Sequence, residues 1–471
     1  MNFKKIALIL SLSACLGGAG FAQNTSAPQN ATAQKQSPPP GGPPKPFNLP
    51  PRHRFTLSNG AHVTLVEYGS VPKAYVRVAV RTGMIDQTAE QTDLATITAL
   101  LMKEGTKTRT GEQIAEEAAS MGSALEASAG ADQTFFDLDV LGESAPKAVR
   151  LLADVVQNPS FPEADFERIK KDQARSIAIQ RSQPSGQALE AWRKMMYPNH
   201  PYGCIFPSPE MLNGYKVADV EKFWNGNFGA ARTDIYVVGR FDEAAVRAAV
   251  SDAFKAWKKG DAATLNPPKP IDKAGFAFVD RPGAAQSTLY IGLPTIDPSQ
   301  KDYVPLNVMD SLLGGSFGSR ITSNIREQKG YTYSPYSQVS VRYRDGYWVE
   351  IADVTTAVTG ASITEIRKEI TRLQQQPPSD AELNGIKNYL SGLFVIRNSS
   401  RQGLLAQLDF VDLHGLGDDY LTNYVPRVNA VSTEEVQQTA EKYLPLEKIS
   451  MVVVGDPEKV RPQVQEFDVH P

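Results

Sequence analysis

The sequence predicts an α+β molecule of two tandem homologous domains, each a mixed or antiparallel β-sheet with helices packed on one face. Three observations carry this expectation. Ile235-Tyr236-Val237-Val238-Gly239 and Met451-Val452-Val453-Val454-Gly455 are β-branched runs closed by glycine, and the two glycines stand 216 positions apart. Pro159-Ser160-Phe161-Pro162-Glu163-Ala164-Asp165-Phe166 and the stretch Pro377, Ser379-Asp380-Ala381-Glu382-Leu383 each open a charged segment of helical period, with Asp165 and Glu382 217 positions apart. Two markers with nearly equal offsets imply duplication of one domain of roughly 200 residues rather than a short-period solenoid. Within each half, strands and helices come in clusters instead of strict alternation, which favours a sheet with a helical layer over a parallel βαβ array.

Taken from the N-terminus, residues 1–22 read as a secretory signal peptide: Lys4 and Lys5, an apolar run from Ile6 to Leu16, and small residues before a cleavage point after Ala22. Leu12-Ser13-Ala14-Cys15 offers a competing lipobox, in which Cys15 would be acylated. Both routes export the mature chain, so a periplasmic location is expected, with membrane attachment only if Cys15 is lipidated. Residues 23–51 are rich in Pro, Gly, Gln, Asn and Ser, and read as a disordered tether that buries too little apolar surface to offset the entropy of ordering. The remainder is too long for one ordinary core. It divides into a first domain at 52–258, a linker at 259–273 broken by Gly260, Pro267, Pro268 and Pro270, and a second domain at 274–471.

Net charge is −3 and no basic block occurs, which argues against nucleic acid and anionic membrane surfaces as partners. After cleavage at Ala22 only Cys204 remains, so no intrachain disulfide can form, and Cys204 itself reads as a small buried residue.

Element by element, Phe55–Leu57 and His62–Val66 flank Asn59-Gly60, a hairpin signal, and Ala74–Val80 alternates as a third strand. Helical period marks Thr110–Met121, Ala145–Val156 and Glu163–Arg181. Thr92–Glu104 reads as a buried structural helix with Leu94, Ile97 and Leu101 on one stripe and Gly105 as its C-cap. In the second half Phe317, Ile321 and Ile325 recur at four-residue steps, marking the packed stripe of a helix terminated by Lys329 and Gly330. Arg326 lies at the edge of that stripe, and Tyr333 is expected on the next strand.

A series of short motifs then falls in one order: Asn59-Gly60 with Val63, Arg81-Thr82-Gly83, Glu104-Gly105-Thr106, Asn158-Pro159 with Phe161-Pro162, His200-Pro201-Tyr202-Gly203 and Val237-Val238-Gly239. In this order and spacing the chain resembles the pitrilysin or insulinase-like (M16) family of zinc peptidases, in its shorter two-domain branch, and the resemblance covers nearly everything after the tether. It implies the LuxS/metallohydrolase-like fold. In that family zinc sits on an inverted His-x-x-Glu-His motif about ten residues before a Gly-Thr pair. Residues three and four apart share a helix face, so two imidazoles can hold the ion while the Glu activates its water. Counted back from Gly105-Thr106, those positions are Thr96, Ala99 and Leu100, and the family's third ligand falls at Ser176. None of these can bind zinc. The five histidines, His53, His62, His200, His414 and His470, are scattered, with no pair at metal-ligand spacing on a helix.

The resemblance carries a second pair, an Arg and a Tyr seven residues apart that hold substrate backbone and stabilise the oxyanion at the zinc site of a facing domain. Arg326 and Tyr333 match it, and Gly314 and Gly315 give the preceding turn close backbone access to substrate. A guanidinium is a permanent forked donor and a phenol can donate to developing negative charge. The expected chain is therefore a metal-free subunit, inactive alone, whose partner is an M16 subunit with an intact His-x-x-Glu-His motif carrying the zinc, and whose substrate is an unfolded peptide. A structural or peptide-binding protein of the same fold is the second expectation. A stand-alone zinc peptidase is disfavoured by Thr96, Ala99, Leu100 and Ser176.

Overall fold

The hairpin forms where Asn59-Gly60 places it. In the computed structural model, which describes residues 47–417 and 419–468, Gly60 takes φ +98° and the Leu57 N–H bonds the Ala61 carbonyl at 2.8 Å. Glycine reaches that left-handed conformation without steric cost. The turn joins β1 (Arg52–Thr56) to β2 (His62–Glu67). With β3 (Lys73–Val80), β4 (Glu126–Ala129), β5 (Thr134–Leu141) and β6 (Thr233–Gly239) they form a six-stranded sheet of order β1-β2-β6-β3-β5-β4. Strands β7 (Phe276–Asp280), β8 (Gln286–Thr295), β9 (Tyr336–Arg342), β10 (Asp345–Thr355) and β11 (Ser450–Gly455) form a second sheet, β7-β11-β8-β10-β9. With β1 set aside, the two orders match strand for strand. Each contains one parallel pair, β2 with β6 and β7 with β11, and is otherwise antiparallel. The mixed α+β class and its duplication are thus both present.

Each sheet is covered on one face by helices of its own half. In the first, Leu94–Met102, Ala145–Gln157 and Glu243–Phe254 bury Ile97, Leu101, Leu151, Leu152, Val155 and Val250 against Val63, Leu65, Val76, Val78 and Phe136. In the second, Tyr303–Asp310, Thr359–Gln375 and Thr433–Tyr443 do the same over Leu289, Ile291, Trp348 and Val453. The opposite faces are closed by exchange. Helices Arg401–His414 and Tyr420–Ala430 of the second half lay Leu404, Leu408 and Leu421 on Val66, Tyr75, Tyr236 and Val238 of the first sheet. Helix Pro184–Met196 of the first half packs Trp192 and Met196 on Tyr290, Tyr347, Val349 and Val452 of the second. One helical face per sheet therefore describes what each half builds for itself. The reason for the exchange is visible in β6 and β11, which are buried at every position and so have two apolar faces to cover.

Local differences from the sequence reading have local causes. The helix Leu94–Met102 ends at a right-handed Lys103 cap, not at Gly105. A Cβ at Gly105 would stand 2.6 Å from Ser160 Oγ, so this glycine allows the close approach of the Asn158–Pro162 loop. Phe317 is 74% exposed, because Ser316–Ser319 form a turn and the helix begins only at Arg320; Ile321 and Ile325 are buried as expected. Tyr333 lies in the connection before β9, not on a strand. Cys204 is half-buried. Phe47 and Leu49, at the end of the expected tether, pack on the molecule, with Phe47 edge-on to Phe394 at 5.0 Å. The signal-peptide reading, Cys15, His470 and most of the tether lie outside the described residues.

Candidate functional site

Two helices carry the positions at which the family's metal would sit. Thr96, Ala99 and Leu100 stand on Leu94–Met102, and Ser176 on Glu163–Ser182, which packs against it. Ala99 is buried and Leu100 packs on the first core. Ser176 is exposed and accepts a bond from the Gln180 amide at 3.2 Å. The polar bridge between the helices is instead one turn away: the Gln173 amide donates to Asp93 Oδ2 at 3.1 Å, and the Thr96 side chain also hydrogen-bonds Asp93. Burial pushes the Asp93 carboxyl up to about 6, against those two bonds. One carboxylate, one amide and one hydroxyl do not make the three-ligand set of a catalytic zinc. Among the described residues no group of three or more His, Cys, Asp and Glu is disposed to hold a metal ion. Zinc does not fit the residues present, and no catalytic step is assigned to it in this chain.

The second half is differently equipped. Helix Tyr303–Asp310 runs into a π-helical turn, Ser311–Gly315, and after Ser316–Ser319 a second helical stretch becomes π-helical over Thr322–Gln328. Such wide turns are rare and often sit at functional sites. Gly314 is required by contact, since a Cβ there would lie 2.5 Å from both Glu350 Oε2 and Ser337 Oγ. The second stretch is fixed from its buried side. Arg320 forms a bidentate pair with Glu382 at 2.7 and 2.9 Å, and the Asn324 amide donates to Glu365 and Glu369, both at 2.8 Å. Its end is a left-handed glycine cap: Gly330 has φ +66° and bonds the Arg326 carbonyl through its N–H at 3.1 Å, while the Tyr331 N–H reaches back to the Ile325 carbonyl at 2.8 Å.

Arg326 and Tyr333 stand on either side of that cap. Arg326 is half-buried, with its guanidinium carbon 4.2 Å from the centroid of the Phe317 ring and Nε 3.5 Å from the exposed Glu327. Beyond it, Tyr331 packs on the core and Thr332 donates to the Asp353 carbonyl at 2.7 Å, which pins the chain to the end of β10. Tyr333 then projects, 86% exposed. Among the described residues Tyr333 and Phe317 are the two most exposed large apolar side chains, and both belong to the Arg326 segment. Arg and Tyr are among the side chains enriched in binding hot spots.

Beneath the segment lie two acidic groups that sequence reasoning missed. Glu350 is fully buried on β10 with neither carboxylate oxygen bonded by a described residue, and burial drives its carboxyl well above the ordinary range, with Asp310 adding to the effect. Period two along β10 places it with Trp348 and Ala352 on the inward face, a signal present in the sequence. Phe317 could also have been found, as an aromatic between Ser316 and Gly318 in a turn.

The His200-Pro201-Tyr202-Gly203 motif serves the seam between the halves. The Tyr202 hydroxyl donates to Asp132, whose other oxygen accepts the Tyr343 N–H at 3.1 Å. Tyr197 donates to Asp345 Oδ2 at 2.5 Å and accepts from Arg342 at 3.0 Å. Its residues join the two halves and take no part in the Arg326 segment.

The duplicated half and the Arg326 segment define the class, a peptidase-fold chain of the insulinase type. Residues 63–209 match the family description "Insulinase (Peptidase family M16)" and residues 215–390 match "Peptidase M16 inactive domain". The chain belongs to the M16 family. It is similar to the uncharacterized zinc protease YmxG of Bacillus subtilis, 24% identical over 83% of this chain and 95% of that one. It is also similar to a Helicobacter pylori protein named non-peptidase homolog YmxG, 20% identical over 83% and 90%. A peptidase M16 inactive domain from Pseudomonas fluorescens superposes with TM-score 0.80 at 23% identity over 86% of this chain and 98% of that one. A crystal structure titled as a protease from Helicobacter pylori gives 0.81 at 19%, over 86% and 100%.

Proposed function

We propose that this chain is an exported, metal-free subunit of a two-chain M16 endopeptidase, in which Arg326 and Tyr333 act in trans at the zinc site of a partner bearing His-x-x-Glu-His. The observation that carries the reading is the contrast between the halves. The metal positions hold Thr96, Ala99, Leu100 and Ser176, while Arg326 and Tyr333 are presented on a capped, anchored and solvent-facing segment. In this role Arg326 grips a carbonyl or carboxylate of the extended substrate. Tyr333 donates to the oxyanion that develops when the partner's activated water attacks the peptide; Gly314 and Gly315, turned inward on Glu350, Ser337 and Asp310, take no part in it. The match of residues 215–390 to an inactive-domain description supports the assignment.

The test is reconstitution. Peptide cleavage is measured for this chain alone, for the partner alone and for the mixture; activity confined to, or strongly raised in, the mixture is expected. A partner that cleaves equally well without this chain ends the assisting role. A second reading, a structural or peptide-binding protein with no part in proteolysis, is favoured by the name non-peptidase homolog given to the Helicobacter pylori relative. It predicts stable association with no gain in rate.

A further inference from the structure

Outside the Arg326 segment, the second half contains a cavity of about 350 Å³ between helices Tyr303–Asp310, Asp380–Arg397 and Arg401–His414, helix Tyr420–Ala430 and strand β9. Its volume is that of a pocket for a small ligand. Asp310 lines it and is almost completely buried. Oδ1 accepts from Ser337 at 2.5 Å and from the Trp348 indole at 2.8 Å. Oδ2 takes no bond from the described residues, and Gly315 leaves it uncovered, since a Cβ there would stand 2.7 Å away. Among the described residues no cation contributes to the field at Asp310. A carboxylate buried without a countercharge is costly unless something positive joins it.

The walls suit such a guest. Tyr303, Tyr389, Tyr420 and Tyr424 line the cavity, and Phe394 stacks on Tyr424 at 4.7 Å. Aromatic faces attract ammonium groups most strongly where water is excluded. At the exposed rim stands Arg397, which forms no ion pair among the described residues. A carboxylate inside and a guanidinium at the mouth, with aromatic faces between, complement a molecule with an ammonium at one end and a carboxylate at the other.

We propose that this cavity binds small zwitterions, free amino acids or very short peptides, with the ammonium on Asp310 and the carboxylate on Arg397. The site is separate from the proposed assisting role and requires no partner chain. Burial pushes the Asp310 carboxyl up to about 6, against the Ser337 and Trp348 bonds. Glu350, the neighbouring buried carboxyl, is pushed well above its ordinary range by burial and by Asp310, so Asp310 is the group of the two that ionises first and affinity rises with pH from 5 to 7.5 as its carboxylate forms.

The test is calorimetric titration of the purified full chain at pH 7.5 with Ala-Ala, N-acetyl-Ala-Ala and putrescine. Saturable Ala-Ala binding is expected, weakened by about tenfold or more on N-acetylation and in Asp310→Asn, the loss that goes with one charge-assisted bond. Arg397→Ala, at an exposed position, should weaken Ala-Ala binding and leave putrescine unaffected. If Asp310→Asn does not fold, the acetylated ligand and Arg397→Ala decide the matter without it. Absence of saturable Ala-Ala binding, or equal binding of its acetylated form, overturns the site. Putrescine binding as tightly as Ala-Ala overturns the assignment of a zwitterion.

Discussion

Glu350 shows at the level of one side chain how the second half is put together. Its carboxyl has a pKa well above the usual carboxylate range because burial penalises the charged form. Below the unfolded-state pKa both folded and unfolded chains hold the proton, and stability does not respond to pH through this group. Above it only the folded chain retains the proton. The wild type then loses stability by about 1.4 kcal/mol per pH unit until the folded pKa is reached. Glu350→Gln cannot lose a proton. Denaturant midpoints measured from pH 5 upward should therefore shift in favour of the Gln variant, and a pH-independent gap between the two proteins would refute the account of this residue. Arg326 and Tyr333 were singled out by the family resemblance that their seven-residue spacing matches, whereas Glu350, although the two-residue period of β10 turns it inward, belongs to no motif that would single it out. Phe317 was misread for a related reason. Its four-residue step from Ile321 continues a helical stripe that the Gly318 turn interrupts.

At the scale of the element, the segment from Arg320 to Thr332 is held by three devices: the Arg320–Glu382 pair, the Asn324 bonds and the Gly330 cap. The cap was legible from Lys329-Gly330, whereas the π-helical turns were not. The first of them carries Gly314 against Ser337 and Glu350, a tertiary contact that no local periodicity reports. Gly330 has open space around it, so its requirement is the positive φ alone. Gly330→Ala should cost about 1–2 kcal/mol in equilibrium unfolding, the strain of a Cβ in the left-handed region. If Arg326 and Tyr333 act as proposed, the same variant lowers the mixture's cleavage rate while the chain remains folded. Unchanged stability would show that the cap does not hold the segment.

For the whole molecule, duplication was legible from the 216- and 217-residue offsets, and the closure of each sheet by the other half's helices was not. Neither half can bury both faces of its sheet alone, and the described residues form one compact unit. Trp192→Ala, which empties the seam over Tyr290 and Tyr347, should cost about 3–5 kcal/mol, typical of a buried large aromatic. It should do so in a single unfolding transition shared by both halves. Chains cut within 259–273 should be poorly soluble when expressed separately and associate when expressed together. Two separate, well-folded monomers would contradict the exchange.

The same architecture leaves the Arg326 segment as an outward-facing part of an otherwise closed molecule, which is why the assisting role centres on it. The most direct test is kcat/KM for peptide cleavage by the mixture of partner and this chain, with wild type compared against Tyr333→Phe. Loss of an oxyanion donor predicts a fall of about 10²–10³, with the partner's zinc content and the association of the chains unchanged. A Tyr333→Phe mixture as fast as wild type would contradict the claim that this chain completes another's active site.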